Sequence, residues 1–276
     1  MKPASLLSAA ALSTAGATVV GYGVMTGKAD QADAPIYGRP PSTSIIVPTL
    51  NEEHWISQAL ESLRTQNIVQ AFPDQFEIVV VDSASEDRTV EIARSLANRV
   101  LDAPRGKLNA KHQAVLSSTA EIIVFCDADT TYPPNWLNLL LRHFQNPDVV
   151  AVGGSSVSDN WVFNIGYVWS NLSGWMFGKR LWGRNMAVRR QAYLAVGGFN
   201  LSVDQQDVHA MIYAEEQEIV GRLKTFGTVT YDLEACVVTS NRMVYCAPRG
   251  VGLPCKGDEC PSIEEYCQQI IRKLRF

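Results

Sequence analysis

The sequence predicts an α/β fold with a mostly parallel central sheet, and three observations carry that prediction. From Thr43 onward, short apolar runs alternate with segments of helical period. The runs are apolar along their whole length rather than at every second residue, as expected of strands covered on both faces. Two of them, Val79-Val-Val-Asp82 and Ile122-Ile-Val-Phe-Cys-Asp127-Ala-Asp129, stop at carboxylates, at the end where open α/β sheets gather their ligands.

The elements follow in order. Ser44 to Val47 reads as the first strand, closed by Pro48, and Asn51 to Thr65 as a helix with Trp55, Ile56, Leu60 and Leu63 at helical spacing. Glu77 to Val81 is the second strand. Glu86 to Ala97 is a helix with Val90, Ile92, Ala93 and Leu96 inward, and Glu86 and Asp87 near its start, where the helix dipole favours acids. Arg99 to Leu101 is a short third strand, Lys107 to Ser118 a helix, Glu121 to Cys126 a strand, Pro134 to Phe144 a helix and Val149 to Gly153 a further strand. Helical crossovers between strands return the chain to the same end of the sheet, which is a Rossmann-like arrangement. No G-x-G-x-x-G follows the first strand, so a dinucleotide cofactor is not indicated.

The second half is less regular. Trp161 to Lys179 carries Trp161, Ile165, Val168, Trp169, Leu172, Trp175 and Met176 on one helical stripe, which is either core or a helix for a membrane surface or lipid acceptor. Glu215 to Phe226 reads as an amphipathic helix through Ile219, Val220 and Leu223. Thr228 to Tyr231 and Ala235 to Thr239 read as two closing strands.

Composition bounds the whole. With 276 residues, 46% hydrophobic and 19% charged, the bulk of the chain is one globular body. A net charge of -4 gives no reason to expect a nucleic-acid partner, so an anionic ligand must be held locally. Pro3 to Gly27 holds no charged residue and is long enough to span a bilayer, but it is rich in Ala, Ser, Thr and Gly. A membrane anchor, a cleaved secretory signal and an unanchored tail are the three readings, the anchor foremost, with the rest of the chain cytoplasmic. The expected organisation is a hydrophobic segment at 1–27, a Pro-containing linker at 28–42, a catalytic domain at 43–245 and a tail at 246–276. Cys126 and Cys236 lie in apolar runs as small core residues. Cys246, Cys255, Cys260 and Cys267 lack C-x-x-C pairing, which makes disulfides a better reading than zinc.

The chemistry concentrates at Asp127-Ala-Asp129. Like charges so close repel unless a cation neutralises them, and hard oxygens suit Mg²⁺ or Mn²⁺, which usually also bridge a substrate phosphate. The alternative is a solvated turn after a strand. Lys107 is either a phosphate or nucleotide ligand or a solvated lysine at a helix start, and His112 an exposed or satisfied surface histidine rather than a ligand.

Five motifs in order then resemble glycosyltransferase family 2, of GT-A fold, over Thr43 to Val244: Ser44-Ile-Ile-Val-Pro-Thr-Leu-Asn51-Glu52, Val79-Val-Val-Asp82-Ser-Ala-Ser-Glu-Asp87, Asp127-Ala-Asp129, Gly183-Arg-Asn-Met-Ala187 with Gly197-Gly-Phe-Asn200, and Glu215-Glu-Gln-Glu218. The resemblance implies an inverting enzyme that moves a sugar from a nucleotide-diphosphate sugar, most often a UDP-sugar, to a sugar, lipid or protein acceptor. It places Asp82 at the base, and Pro48, Thr49, Asn51 and Glu52 around the nucleoside, although Asn51 also suits a helix N-cap. It makes Asp129 the firmer metal ligand, with Asp127 nearer the ribose and the metal's waters, and Lys107 and Arg242 at the diphosphate. The acceptor's base falls on Glu216, with Glu215 second, where the family has aspartate; an acidic helix start is the plainer alternative. The Q-x-x-R-W motif of processive synthases is absent, since the chain reads Asn241-Arg-Met-Val-Tyr245, so one sugar per event is expected. Two other classes stay in view. One is a degenerate GT-A binding or scaffold protein. The other is a sugar-phosphate nucleotidyltransferase, which would carry a Gly-rich loop where Pro48-Thr-Leu-Asn51-Glu52 stands.

Overall fold

The computed structural model describes residues 38–159, 171–172, 181–202 and 218–240. The segment 1–27, most of the Trp161 to Lys179 stripe, Glu215, Glu216, Arg242 and the four C-terminal cysteines lie outside the described residues.

The first half follows the predicted alternation. In order come β1 (Thr43–Thr49), α1 (Ile56–Arg64), α2 (Asn67–Ala71), β2 (Phe76–Asp82), α3 (Thr89–Leu96), β3 (Arg99–Asp102), α4 (Lys107–Ser117) and β4 (Ile122–Cys126). β5 (Thr130–Thr131), α5 (Trp136–Leu141), β6 (Val149–Ser158), β7 (Asn185–Arg189), α6 (Arg190–Ala195) and β8 (Thr228–Thr239) follow, with residues 218–223 also helical. All eight strands form one sheet in the order β3-β2-β1-β4-β7-β6-β8-β5. β3, β2, β1 and β4 are parallel, β7 is antiparallel to both its neighbours, and β6 and β8 are parallel again.

The unbroken apolar runs are explained by two cores, one on each face. Ile45, Val47, Ile78, Val80, Ile122 and Val124 point to the face covered by α1, α3 and α5, through Leu60, Ala93 and Trp136. Their alternates Ile46, Val79, Val81, Ile123 and Phe125 meet Leu108 and Val115 of α4, Tyr193 of α6, and Ile219 and Leu223. Cys126 and Cys236 are buried, and burial pushes the Cys126 thiol up.

Several elements differ from the sequence reading, and α2 and β5 are additions to it. β1 does not stop at Pro48 but continues through it to Thr49. β7 and α6 occupy what read only as a motif. The two closing strands are one strand, β8, whose register against β6 slips between Gly154 and Ser156. The slip holds Asp232 and Glu234, whose polarity made the run look broken. Asp232 is buried, with Arg142 Nη2 and His143 Nε2 each 2.7 Å from its Oδ2, and the same Nη2 is 2.9 Å from Glu234 Oε2.

Burial opposes ionisation of Asp232, but His143 and Arg142 outweigh it and hold the carboxyl below its ordinary value of 3.8. A folded-state pKa below the unfolded one gives stability that is present above the unfolded value and is lost as pH falls toward the folded one. Asp232→Asn is therefore expected to cost about 2 kcal/mol near neutrality, the scale of a hydrogen bond to a charged group. Its deficit relative to the native chain should shrink as urea denaturation is repeated below about pH 4. A deficit that stays constant with pH would show that the charge of Asp232 contributes nothing.

Candidate active site

The site begins where two strands part. β1 pairs with β4 only from Thr43 to Ile46, while its pairing with β2 runs on to Thr49. Pro48 brings no N–H to a ladder, so it sits where the β4 side has ended. In a sheet ordered β3-β2-β1-β4, the place between β1 and β4 is the switch point, and a crevice there is expected. A cleft of ≈ 280 Å³ opens there, lined by Pro48, Thr49, Leu50, Glu52, Ser83, Gly106, Lys107, Asp127, Ala128 and Asp129.

The loops that follow β1 and β2 are stitched to one another. Asn51 N–H donates to Ser85 Oγ (2.8 Å), and Asn51 Oδ1 accepts from Glu86 N–H (2.9 Å). Glu52 N–H donates to Thr89 Oγ1 (2.6 Å) and Glu53 N–H to Asp87 Oδ2 (3.1 Å). Asn51 and Ala84 both have left-handed backbones, with φ of 56° and 67°, a strain of the kind that collects at ligand-binding loops. Asn51 does not cap α1, whose N-cap is Trp55; it stands exposed beside the cleft lining and ties the two loops. Asp82 ends β2 nearly buried and accepts from Thr49 Oγ1 (3.0 Å), Ser85 Oγ (2.5 Å) and Ser85 N–H (2.8 Å).

Asp127 and Asp129 behave differently although one residue separates them. Tyr132 clamps the Asp127 backbone: its hydroxyl accepts from Asp127 N–H at 2.8 Å and donates to Asp127 C=O at 3.1 Å. Gln66 fixes the loop beyond, donating to the carbonyls of Tyr132 (2.9 Å) and Pro133 (2.8 Å) and accepting from Leu137 N–H (3.0 Å). Lys107 Nζ straddles the Asp127 carboxylate, 2.8 Å from Oδ1 and 2.9 Å from Oδ2, with hydrogen-bond geometry toward Oδ2. Lys111, only 1% exposed, donates to Gly183 C=O at 2.8 Å and stands 3.6 Å from Asp127 Oδ1. Burial pushes this acid up, but Lys107, with Lys111 and Arg184 behind it, holds it far below the usual carboxylate range.

Asp129 lines the main cleft and also a second one of ≈ 100 Å³, with Trp55, Gln58, Thr131, Asp159 and Ser240. Its carbonyl accepts from Ser240 N–H at 2.9 Å, which brings the end of β8 beside it. Among the described residues no cluster of His, Cys, Asp or Glu side chains makes a metal cage. That donor set still fits Mg²⁺ or Mn²⁺, which are held by one or two carboxylates plus substrate phosphates rather than by all-protein cages. Of the two acids, Asp127 meets Lys107, and Asp129 lines both clefts.

The cleft thus gathers Pro48, Thr49, Glu52, Lys107, Asp127 and Asp129, with Asp82 against Thr49 behind its wall. The clamps Tyr132 and Gln66 gave no signal in the sequence, since a Tyr in a loop and a Gln between helices carry no motif. His112 is half-buried, its Nδ1 3.1 Å from Tyr193 Oη, and burial lowers its pKa. It is a satisfied histidine outside the cleft lining.

A switch-point cleft, with two acids closing β4 and an antiparallel β7 beyond them, places the chain in the GT-A class of α/β folds. Two solved structures share the fold. The mannosyltransferase PcManGT of Pyrobaculum calidifontis, in complex with GDP-Man and Mn²⁺, aligns with a TM-score of 0.57 at 22% identity over 82% of this chain and 68% of that one. TarS 1-349 of S. aureus, in complex with UDP-GlcNAc, aligns at 0.55 and 20% identity over 73% of this chain and 59% of that one.

The chain belongs to glycosyl transferase family 2, whose family model matches residues 44–195. Among its relatives, the glucosyl-dolichyl phosphate glucuronosyltransferase of Haloferax volcanii is 26% identical over 70% of this chain and 67% of that protein. The dolichol-phosphate mannosyltransferase of Pyrococcus furiosus is 32% identical over 44% of this chain, and the match spans only 36% of that protein.

Proposed function

We propose that residues 43–245 form a catalytic domain that transfers one sugar, with inversion, from a nucleotide-diphosphate sugar to an acceptor hydroxyl. The observation that carries this is the cleft between β1 and β4, whose lining gathers Thr49 and Glu52 with Lys107, Asp127 and Asp129. A hydroxyl, carboxylates and an ammonium in one cleft suit the polar base and ribose of a nucleotide donor and its anionic diphosphate. A UDP-sugar is the first donor to test. GDP-sugars come next, because a structural neighbour was solved with GDP-Man.

The residues divide the work. Asp82, Thr49 and the tied loop at Asn51 and Glu52 hold the nucleoside, and Lys107 and Arg242 the diphosphate. Asp129 would hold Mn²⁺ or Mg²⁺, with Asp127 toward the ribose and the ion's waters. When bound, the ion supplies charge neutralisation on the departing diphosphate. Glu216 accepts the acceptor's proton as the hydroxyl attacks the anomeric carbon, with Glu215 as second choice. Two dolichyl-phosphate names among the relatives make a polyprenyl-phosphate-linked acceptor the class to try first. Attachment to a membrane through residues 1–27 is in keeping with such an acceptor. Among the described residues no helix is long and apolar enough to cross a membrane.

A thermal-shift panel of nucleotide-sugars with and without Mn²⁺ tests the reading. At about 100 times Kd a ligand that binds only the folded state adds about 2.7 kcal/mol. For a domain of this size that is a rise in Tm of roughly 5 to 10 °C. No rise with any donor would sink the proposal. Release of pyrophosphate rather than a nucleoside diphosphate would point to nucleotidyl transfer instead.

A further inference from the structure

We propose that His112 is a positioning residue: by holding the Tyr193 hydroxyl it locks the turn Gly197-Gly198-Phe199 to α4, and that turn seats the chain leading into the acidic run Glu215-Glu-Gln-Glu218. This rests on the assignment of the acceptor's base to that run. The lock is built of three groups. Tyr193, on α6, is fully buried, and its hydroxyl oxygen accepts from Phe199 N–H at 3.2 Å. A buried hydroxyl must also place its own proton, and His112 Nδ1, 3.1 Å away, is the acceptor. Burial disfavours a charged imidazole, so the ring is neutral and carries its proton on Nε2.

The turn comes so close to this ring that glycine is required. Gly198 has a φ of 71°, and a Cβ there would stand 2.7 Å from His112 Nδ1. Phe199 then packs edge-on to Tyr193, with 5.3 Å between ring centroids, and 5.2 Å from Phe125 of β4, the strand that ends in the two acids. Residues on both sides of the acidic run in sequence meet this turn. Phe199 precedes the run, and Arg222, which follows it, pairs with Glu218 and donates to Val196 C=O. Since α4 also sets Lys107 and Lys111 against Asp127, one helix holds the donor cleft and the seat of the acidic run in register.

Hydrogen exchange of the Phe199 amide reads the lock with no substrate present, and kcat reads its use. In His112→Leu, which removes the acceptor, and in Tyr193→Phe, the amide should exchange about tenfold faster or more than in the native chain. In both, kcat should fall about tenfold while KM for the donor stays within about twofold. His112→Asn puts an amide oxygen about where Nδ1 stands, and it should restore slow exchange and most of kcat. A double variant, His112→Leu with Tyr193→Phe, should be no slower than Tyr193→Phe alone, because both act on one lock. Unchanged exchange in His112→Leu would overturn the proposal, as would equal losses in His112→Asn and His112→Leu. Faster exchange with unchanged kcat would mean that the reaction does not use the turn, and this inference alone fails. A loss carried by KM for the donor would move the role of His112 to the donor cleft and overturn it too. If Glu215→Gln and Glu216→Gln both keep full turnover, the base assignment has failed and takes this inference with it. Should His112→Leu not fold, as its Tm without ligand will show, Tyr193→Phe carries the same comparison.

Discussion

Asp129→Ala is expected to reduce sugar transfer by about 10³-fold or more, the rate equivalent of several kcal/mol of charge stabilisation on the departing diphosphate. The fold should survive it. Its carbonyl accepts from Ser240 N–H, and its Oδ1 accepts from Thr130 Oγ1 at 3.4 Å. Alanine keeps that carbonyl in place. The measurement is turnover of the donor identified by thermal shift, beside urea denaturation of the same preparation. Full activity in Asp129→Ala would mean that no essential ion rests on this residue. A large loss of stability would mean that its role is to hold the end of β8.

The second large effect is expected at Glu216. Glu216→Gln should lower kcat by about 10² to 10⁴, the usual contribution of a positioned base, and leave donor binding unchanged. The structure narrows the choice within the acidic run Glu215-Glu-Gln-Glu218. Glu218 is already engaged, as both its oxygens accept from Arg222, at 2.6 Å from Nε and 2.5 Å from Nη2. Arg222 Nη1 also donates to Val196 C=O, while Ile219, Val220 and Leu223 bury the opposite side of the turn. A glutamate held in an i,i+4 pair facing α6 is not a free base, and Glu216 and Glu215 are the acids that remain. Glu215→Gln is the comparator, and a greater loss there than at Glu216 would reverse the assignment. Loss of donor affinity in Glu216→Gln would place this residue at the donor instead.

The parallel half was readable because its signal is local. Ile45, Val79 and Ile123 stand in runs with no polar alternation, and only a sheet covered on both faces places such runs without cost. The acids were readable for a related reason, since charge at the end of a buried strand needs a partner. β7 was not readable. Asn185-Met-Ala-Val-Arg189 has one β-branched residue, and what makes it a strand is distant: β4 on one side, β6 on the other, and Asn185 bonded to Trp136 Nε1, Ser155 C=O and Ala235 C=O. The break predicted within β8 failed for the opposite reason. Asp232 and Glu234 look like turn residues, but Arg142 and His143 neutralise them from another element. Asp127 taught a similar lesson. Its place in a two-acid motif was plain, but the two lysines that absorb its charge lie on α4, which the motif does not include.

The position of β4 has a consequence for how the molecule is made. Its inner edge meets β1, which precedes it in the chain, but its outer edge waits for β7, pairing Ile122 with Arg189 and Cys126 with Asn185. During synthesis, therefore, the wholly apolar strand that carries the acids keeps one side unpaired until dozens of further residues have been added. Such an edge invites pairing with another chain. Chains cut short before Arg189 should accumulate in aggregates, and the native partner of β4 is also its protection.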